Sequence, residues 1–271
     1  MSKVSAWFLE MLPRPVRTQI RDRYWQIKSK VLYQFLYRVL ALEHTLRSGL
    51  VVKIASKGEW WTYNDIFVDG EYDVPILTAF KNRSSSRPFV VLDLGANVGY
   101  FGLRVVDLIG EQGSGPANAD ITMVEGSPKT YLELEKRVRS QSRLAESVSM
   151  IHGLVGQREG SAVIRESALH VKSTIMAGSA LGGTRVDFVD LECLMEDKSE
   201  IDLLKCDIEG SELLFIQTYA ALLCRTKRVV IELHHDQCDT KECVRLMEGL
   251  GFQQAILRGN SSFSVVLFTR S

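Results

Sequence analysis

A chain of 271 residues, 45% hydrophobic and 24% charged, is long enough for one large α/β domain with an appendage and has the composition of a globular protein. Its 33 basic residues are balanced by 33 acidic ones, which argues against a general nucleic-acid binder. No stretch reaches the roughly 18 uncharged apolar residues that a membrane span needs. Glu10, Pro13, Arg14 and Pro15 interrupt any secretory apolar region. The five cysteines, at 193, 206, 224, 238 and 243, are an odd number set in apolar segments, as reduced thiols would be. The expected location is therefore the cytoplasm, where the sequons at Asn82 and Asn260 carry no meaning.

Residues 1–58 form the first expected unit, a basic amphipathic helical segment. Within the first 60 residues eleven basic side chains face four acidic ones, a net of +7 that the rest of the chain compensates. From Val16 to Leu50, Ile20, Tyr24, Ile27, Val31, Phe35 and Val39 recur at helical spacing, which predicts one or two helices. Such a face packs on a core domain or a second subunit, or lies on anionic lipid. Residues 59–88 form the second unit. Trp60, Trp61, Tyr63, Ile66, Phe67 and Val68 are strand formers before an Asp69-Gly70 turn, so the reading is a small strand pair and a short helix that cap the core. Lys81 to Pro88 is a polar connector.

Residues 89–271 are the third unit. The run Phe89–Leu94, broken only by Asp93, predicts a parallel strand buried on both faces. Gly95, Asn97 and Gly99 follow at alternate positions, and Tyr100 to Leu108 then reads as a helix. A strand, a glycine turn and a helix N-terminus together make a site for a cofactor's polar end. Asn97 stands where a third glycine would be expected, and Asn tolerates the left-handed backbone. Asp93 ahead of the turn would repel a pyrophosphate but suits a cationic sulfonium with an amino-acid tail, favouring S-adenosylmethionine over NAD.

Ile121–Val124 is the next strand. It ends in Glu125, placed to accept hydrogen bonds from two ribose hydroxyls, and Ser127-Pro128 opens the following helix to Arg139. Val148 to Val155 is the third strand. Ser161–Ile164 and Arg185–Val189 read as an inserted hairpin whose glycine-rich tip, Met176 to Thr184, is placed to close over substrate. Ile201 to Leu204 starts a buried strand that Lys205 and Asp207 interrupt, and Val229–Leu233 is interrupted by Glu232 before His234 and His235. Charges inside central strands are costly unless paired. If the two strands are neighbours, Lys205 and Glu232 can pair, with Asp207 and His234 near the carboxyl ends where open α/β sheets do their chemistry. Phe252–Leu257 and Ser264–Phe268 form a closing hairpin. His234, His235, Cys238 and Cys243 have zinc-ligand chemistry, but the Cys-x4-Cys spacing is loose and thiols in a helix core are the commoner case.

In order and spacing, DLGANVGYFG at 93–102, VEGSP at 124–128, IDLLKCDIEGSE at 201–212 and VVIELHH at 229–235 resemble the FkbM-type S-adenosylmethionine-dependent methyltransferases. The likeness runs from about residue 60 to 271, leaving the basic N-terminus uncovered. It implies a doubly wound Rossmann-like methyltransferase fold, with a seven-stranded, mostly parallel sheet and an antiparallel last strand. It also implies transfer of a methyl group to a hydroxyl of a sugar, polyketide or similar metabolite. The residues expected at the cofactor are Asp93, Gly95, Ala96, Asn97, Gly99, Tyr100, Glu125, Gly126, Ser127, Leu154 and Asp207. Those expected at the chemistry are His234, Asp207, Lys205 and Glu232. A neutral His234 is the favoured base, with Asp207 the alternative or, together with Glu209, the holder of a Mg²⁺ ion. Two rival readings are an NAD-dependent oxidoreductase, which Asp93 disfavours, and a non-catalytic binding subunit, which the intact cofactor residues disfavour.

Overall fold

Apolar runs at 89–94, 119–125, 203–206 and 228–234 make the centre of a sheet whose two faces are both covered. In this computed structural model the described residues are 36–37, 39–40, 42–113, 118–166, 173–176 and 183–270. They form β1 (Leu42–Thr45), β2 (Val51–Ile54), α1 (Lys57–Tyr63), α2 (Asp73–Lys81), β3 (Phe89–Leu94), α3 (Tyr100–Glu111) and β4 (Ala119–Glu125). Next come α4 (Pro128–Arg139), α5 (Ser142–Ala145), β5 (Val148–His152), β6 (Ser161–Glu166), β7 (Ser173–Met176), β8 (Thr184–Asp187) and α6 (Leu191–Leu194). The chain ends with β9 (Leu203–Cys206), α7 (Glu212–Thr218), α8 (Ala220–Cys224), β10 (Arg228–His234), α9 (Thr240–Gly249), β11 (Gln253–Gly259) and β12 (Phe263–Thr269).

The seven-stranded sheet runs β11-β12-β10-β9-β3-β4-β5. Strands β10, β9, β3, β4 and β5 are parallel, and β12 is antiparallel to both of its neighbours. The expected doubly wound, mostly parallel sheet is thus observed. Because side chains alternate, Val91, Leu203 and Val230 enter one core with Tyr72, Phe101 and Leu134, while Leu92, Leu204 and Ile231 enter the other with Phe215, Leu222 and Met247. The chain leaves β3 toward β4 on one side and meets β9 on the other, so the strand order reverses at β3. A crevice forms there, at the carboxyl ends of the strands.

Two compact units divide the chain, one of Met1–His44 with Lys53–Trp61 and the other of Thr45–Val52 with Thr62–Ser271. Several expectations are corrected by this structure. The helical reading over 16–50 fails at its end, because Leu42–Thr45 and Val51–Ile54 are strands of a small sheet; residues 16–35 lie outside the described residues. Residues 45–52, expected in the accessory segment, belong to the second unit. Leu46, Leu50 and Val52 are buried in the second unit's core, and Gln141 binds both the N–H and the carbonyl of Val51. The strand formers Trp60 to Val68 are helical, in α1 and in a π-helical turn at Asn64–Val68. A capping pattern overrides their propensity: Glu59 N–H donates to Ser56 Oγ at 3.1 Å, and Glu59 Oε2 accepts from Ala55 N–H at 2.9 Å. The third strand stops at His152, and the inserted hairpin is a three-stranded sheet, with β6 pairing both β7 and β8. Of its expected tip, 177–182 lies outside the described residues. Between β9 and β10, two short helices, α7 and α8, meet at Tyr219.

Candidate functional site

The turn after β3 is fixed by its backbone. Gly95 and Ala96 N–H both donate to the Val124 carbonyl at 3.0 Å, and Gly95, Asn97 and Gly99 all have positive φ. Asn97 takes the left-handed conformation at φ 51°. At Gly95 no side chain fits, since a Cβ would stand 1.7 Å from the Asp207 carbonyl oxygen. The loop after β9 is therefore seated directly on the glycine turn.

Glu125 closes β4 beside that turn. Its Oε2 accepts from Asn97 N–H and its Oε1 from Ser127 N–H, each at 2.8 Å. Two backbone donors use half of a carboxylate's four acceptor positions, leaving one on each oxygen for a ligand. Burial pushes the Glu125 pKa up, and the Ser127 and Asn97 hydrogen bonds oppose it. Ser127 also caps α4, its Oγ accepting from Thr130 N–H. Around this carboxylate is a cleft open to solvent, about 750 Å³ including its mouth, walled by Gly95, Asn97, Glu125, Gly126, Ser127, Leu154 and Asp207.

The other side of the crevice is crowded with charge. Asp93 and Lys205 are register partners on β3 and β9, and both are buried. Lys205 Nζ donates to the Gly95 carbonyl at 2.8 Å and lies 3.4 Å from Asp93 Oδ1 and 3.6 Å from Asp207 Oδ2. Burial alone would depress the lysine; the charges of Asp93, Asp207 and Glu232 outweigh it and hold the ammonium firmly charged. Asp93 moves up through burial, against the pull of Lys205. Among the described residues neither of its oxygens has a hydrogen-bond partner, so its tie to Lys205 is one of charge.

His234, at the end of β10, is buried. Its Nδ1–H donates to Glu212 Oε1 at 2.8 Å, and its Nε2 lies 3.6 Å from both Glu209 Oε2 and Glu232 Oε1. Burial disfavours the imidazolium, but Glu212, Asp207 and Glu209 prevail and raise the pKa to about 9. Glu232 is pushed up to about 8, first by burial and then by Asp207.

Of the residues expected at the cofactor, Gly95, Asn97, Glu125, Gly126, Ser127, Leu154 and Asp207 line the cleft. Asp93, Ala96, Gly99 and Tyr100 do not. Asp93 lies behind the turn, and the Tyr100 ring is turned into the core against Phe67. The Lys205–Glu232 pair is replaced by Lys205 with Asp93 and Asp207, since β9 lies between β3 and β10 and the acid on the β3 side is nearer. The carboxylates around His234 push its pKa up, which works against the neutral form expected there. Among the described residues, Asp207 is grouped with Glu232 and His234, not with Glu209, as a set of close ligand atoms. Cys243 is a buried core thiol and all five cysteines are free. Sequence reasoning missed Val124, Thr130, Gly153, Val155, Ile164 and Ile208 in the cleft wall. Val124 is in β4, Thr130 in α4, Gly153 and Val155 just after β5 and Ile164 on β6, and nothing local marks them. No helix among the described residues is long and apolar enough to cross a membrane.

Residues 93–253 match the family model of the methyltransferase FkbM domain. No curated protein matches the chain. Among solved structures, methyltransferase FkbM from Methylobacillus flagellatus KT is similar at 14% identity over 67% of this chain and 43% of that one, with a TM-score of 0.47. Magnesium protoporphyrin IX methyltransferase from Synechocystis PCC 6803, solved with bound SAM, is similar at 12% identity over 77% of this chain and 83% of that one, with a TM-score of 0.45. Precorrin-6y C5,15-methyltransferase from Geobacter metallireducens GS-15 is similar at 13% identity over 73% and 88%, with a TM-score of 0.42.

Proposed function

The chain belongs to the FkbM methyltransferase family, and from that premise we propose that it moves a methyl group from S-adenosylmethionine to a hydroxyl oxygen of a sugar, polyketide or similar metabolite. The observation that carries the cofactor reading is Glu125. Two backbone N–H groups aim its carboxylate along the cleft wall, each oxygen keeps a free acceptor position, and a ribose diol supplies two donors.

When bound, the cofactor supplies an electrophilic methyl on a positively charged sulfur. The chain's own contribution is position and proton handling. Gly95, Asn97 and Ser127 shape the wall, and Leu154 with Ile164 offers an apolar surface. The acceptor's hydroxyl proton must leave as its oxygen attacks. Asp207 reaches both the cleft and the charged cluster, so it is the group we assign to accept that proton. His234, bonded through Nδ1 to Glu212 and close to Glu209 and Glu232, serves instead to position these groups around Asp207. Lys205 holds the Gly95 carbonyl and the Asp207 carboxylate in one arrangement.

Titration with S-adenosylhomocysteine and with NADH tests this reading. Binding of the first and not the second is expected; binding of NADH, or of neither, overturns it. The basic N-terminal segment is proposed as an accessory contact for a second copy or an anionic membrane, and the protein as cytoplasmic. A chain starting at Thr45 is expected to keep cofactor affinity while losing its dimer or its liposome association.

A further inference from the structure

Asp207, Glu232 and His234 each offer a ligand atom, and these atoms all lie within 4.8 Å of one another. The three come from the carboxyl ends of β9 and β10, adjacent parallel strands, at the edge of the cleft that Asp207 lines. The histidine is oriented. A carboxylate can only accept, so Nδ1 carries a proton toward Glu212 Oε1 at 2.8 Å, and Glu212 is itself fully buried and anchored by Gly210 N–H at 2.9 Å. The other ring nitrogen, Nε2, therefore points at the carboxylates of Glu209 and Glu232, both 3.6 Å away. That spacing is too long for a direct hydrogen bond. Where Nε2 carries a proton, an ion taking its place between these carboxylates would release it.

We infer that Asp207, Glu232 and His234 form a binding site for one divalent first-row transition ion of the Mn²⁺ to Zn²⁺ class. Such an ion holds nitrogen and oxygen donors at about 2.1 Å, which sets neighbouring ligand atoms about 3.4 Å apart; His234 Nε2 and Glu232 Oε1 are 3.6 Å apart, and all three ligand atoms lie within 4.8 Å. An imidazole donor favours this class over Mg²⁺, which prefers an all-oxygen shell and parts reluctantly with water. The Glu212–His234 hydrogen bond is the second-layer carboxylate that metal-ligating histidines usually have. Three protein ligands would leave coordination positions for other donors, and Asp207 joins the site to the cleft. That these positions receive the acceptor's hydroxyl, whose acidity the ion would raise, rests on the methyltransferase reading; binding of the ion does not.

The test uses the full chain stripped with a chelator, titrated with Mn²⁺ by electron paramagnetic resonance and with Zn²⁺ by calorimetry. One ion per chain is expected, with Zn²⁺ displacing Mn²⁺. Glu232→Gln and His234→Gln should each weaken binding at least tenfold, and Glu212→Gln about tenfold to a hundredfold through the histidine's orientation. Circular dichroism checks that each variant is folded, and Glu232→Gln, at the more exposed ligand, keeps the test available if His234→Gln unfolds. Glu125→Ala should lose S-adenosylhomocysteine affinity and keep Mn²⁺ affinity. A stripped protein that binds S-adenosylhomocysteine but neither ion overturns the metal site alone, and one that binds the ion but no S-adenosylhomocysteine overturns the cofactor reading alone. Folded variants with wild-type Mn²⁺ affinity, or binding of Mg²⁺ in preference to both probes, overturn the assignment of ligands or of ion.

Discussion

The two halves of the crevice satisfy their charges by different means. On the β3–β4 side, Glu125 is held by backbone N–H groups of residues close to it in the turns. On the β9–β10 side, Lys205, Asp207, Glu209, Glu212, Glu232 and His234 are held mainly by one another. A carboxylate fixed by backbone depends on the fold alone. A carboxylate fixed by other side chains depends on every member of its network, so single substitutions there propagate.

The largest effect should come from Lys205→Met. It strands the fully buried Asp93 without its cation, a loss of about 3–5 kcal/mol by chemical denaturation. Adding Asp93→Asn should recover much of that loss; no recovery would show that Lys205 acts mainly through the Gly95 carbonyl. Gly95→Ala should cost about 2–4 kcal/mol, because the new methyl meets the Asp207 carbonyl and φ is 73°. If the folded variant still bound S-adenosylhomocysteine normally, the two halves would not be mechanically joined. Glu125→Ala should leave stability nearly intact while weakening cofactor binding by about 1.5–3 kcal/mol, measured by calorimetry.

The smallest effect concerns pH, in chelator-stripped protein. His234, raised from 6.5 to about 9, contributes stability that is fully present below about pH 6.5 and is lost as pH rises through about 9. Glu232, raised from 4.5 to about 8, likewise makes the folded state hold more protons than the unfolded one, so its contribution falls between those values. Both have the same sign. Tm should therefore decline from about pH 6 to about pH 9, and Glu232→Gln should flatten the decline; an unchanged slope in that variant would remove Glu232 from the cluster.

The same contrast explains what the sequence made legible. Gly95, Asn97 and Glu125 are marked by local order, an apolar strand followed by turn residues, and the structure puts them where that order says. The sheet was legible for the same reason, since β3, β4, β9 and β10 are short apolar runs. The partner of Lys205 was not legible. Alternation gives the face on which Lys205 lies, but whether it meets Asp93 or Glu232 depends on which strand stands on which side and at what register. The charge state of His234 was hidden likewise, because Glu212 is 22 residues away and reaches it only once α7 docks. The helical course of Trp60 to Tyr63 had a visible signal in Ser56 and Glu59, which aromatic strand propensity concealed.

The bond from Lys205 Nζ to the Gly95 carbonyl joins residues 110 positions apart. Closing so long a loop costs chain entropy, so this contact belongs to the slow, non-local part of folding. A chain emerging from the ribosome can pair β3 with β4, and β4 with β5, well before β9 exists. Its glycine turn at that stage lacks both the lysine beneath it and the Asp207 carbonyl against it. The nascent protein is therefore unable to shape its ligand cradle until the last third of the sequence has been made, and a truncated chain ending before Leu203 would carry the glycine motif without the capacity it encodes.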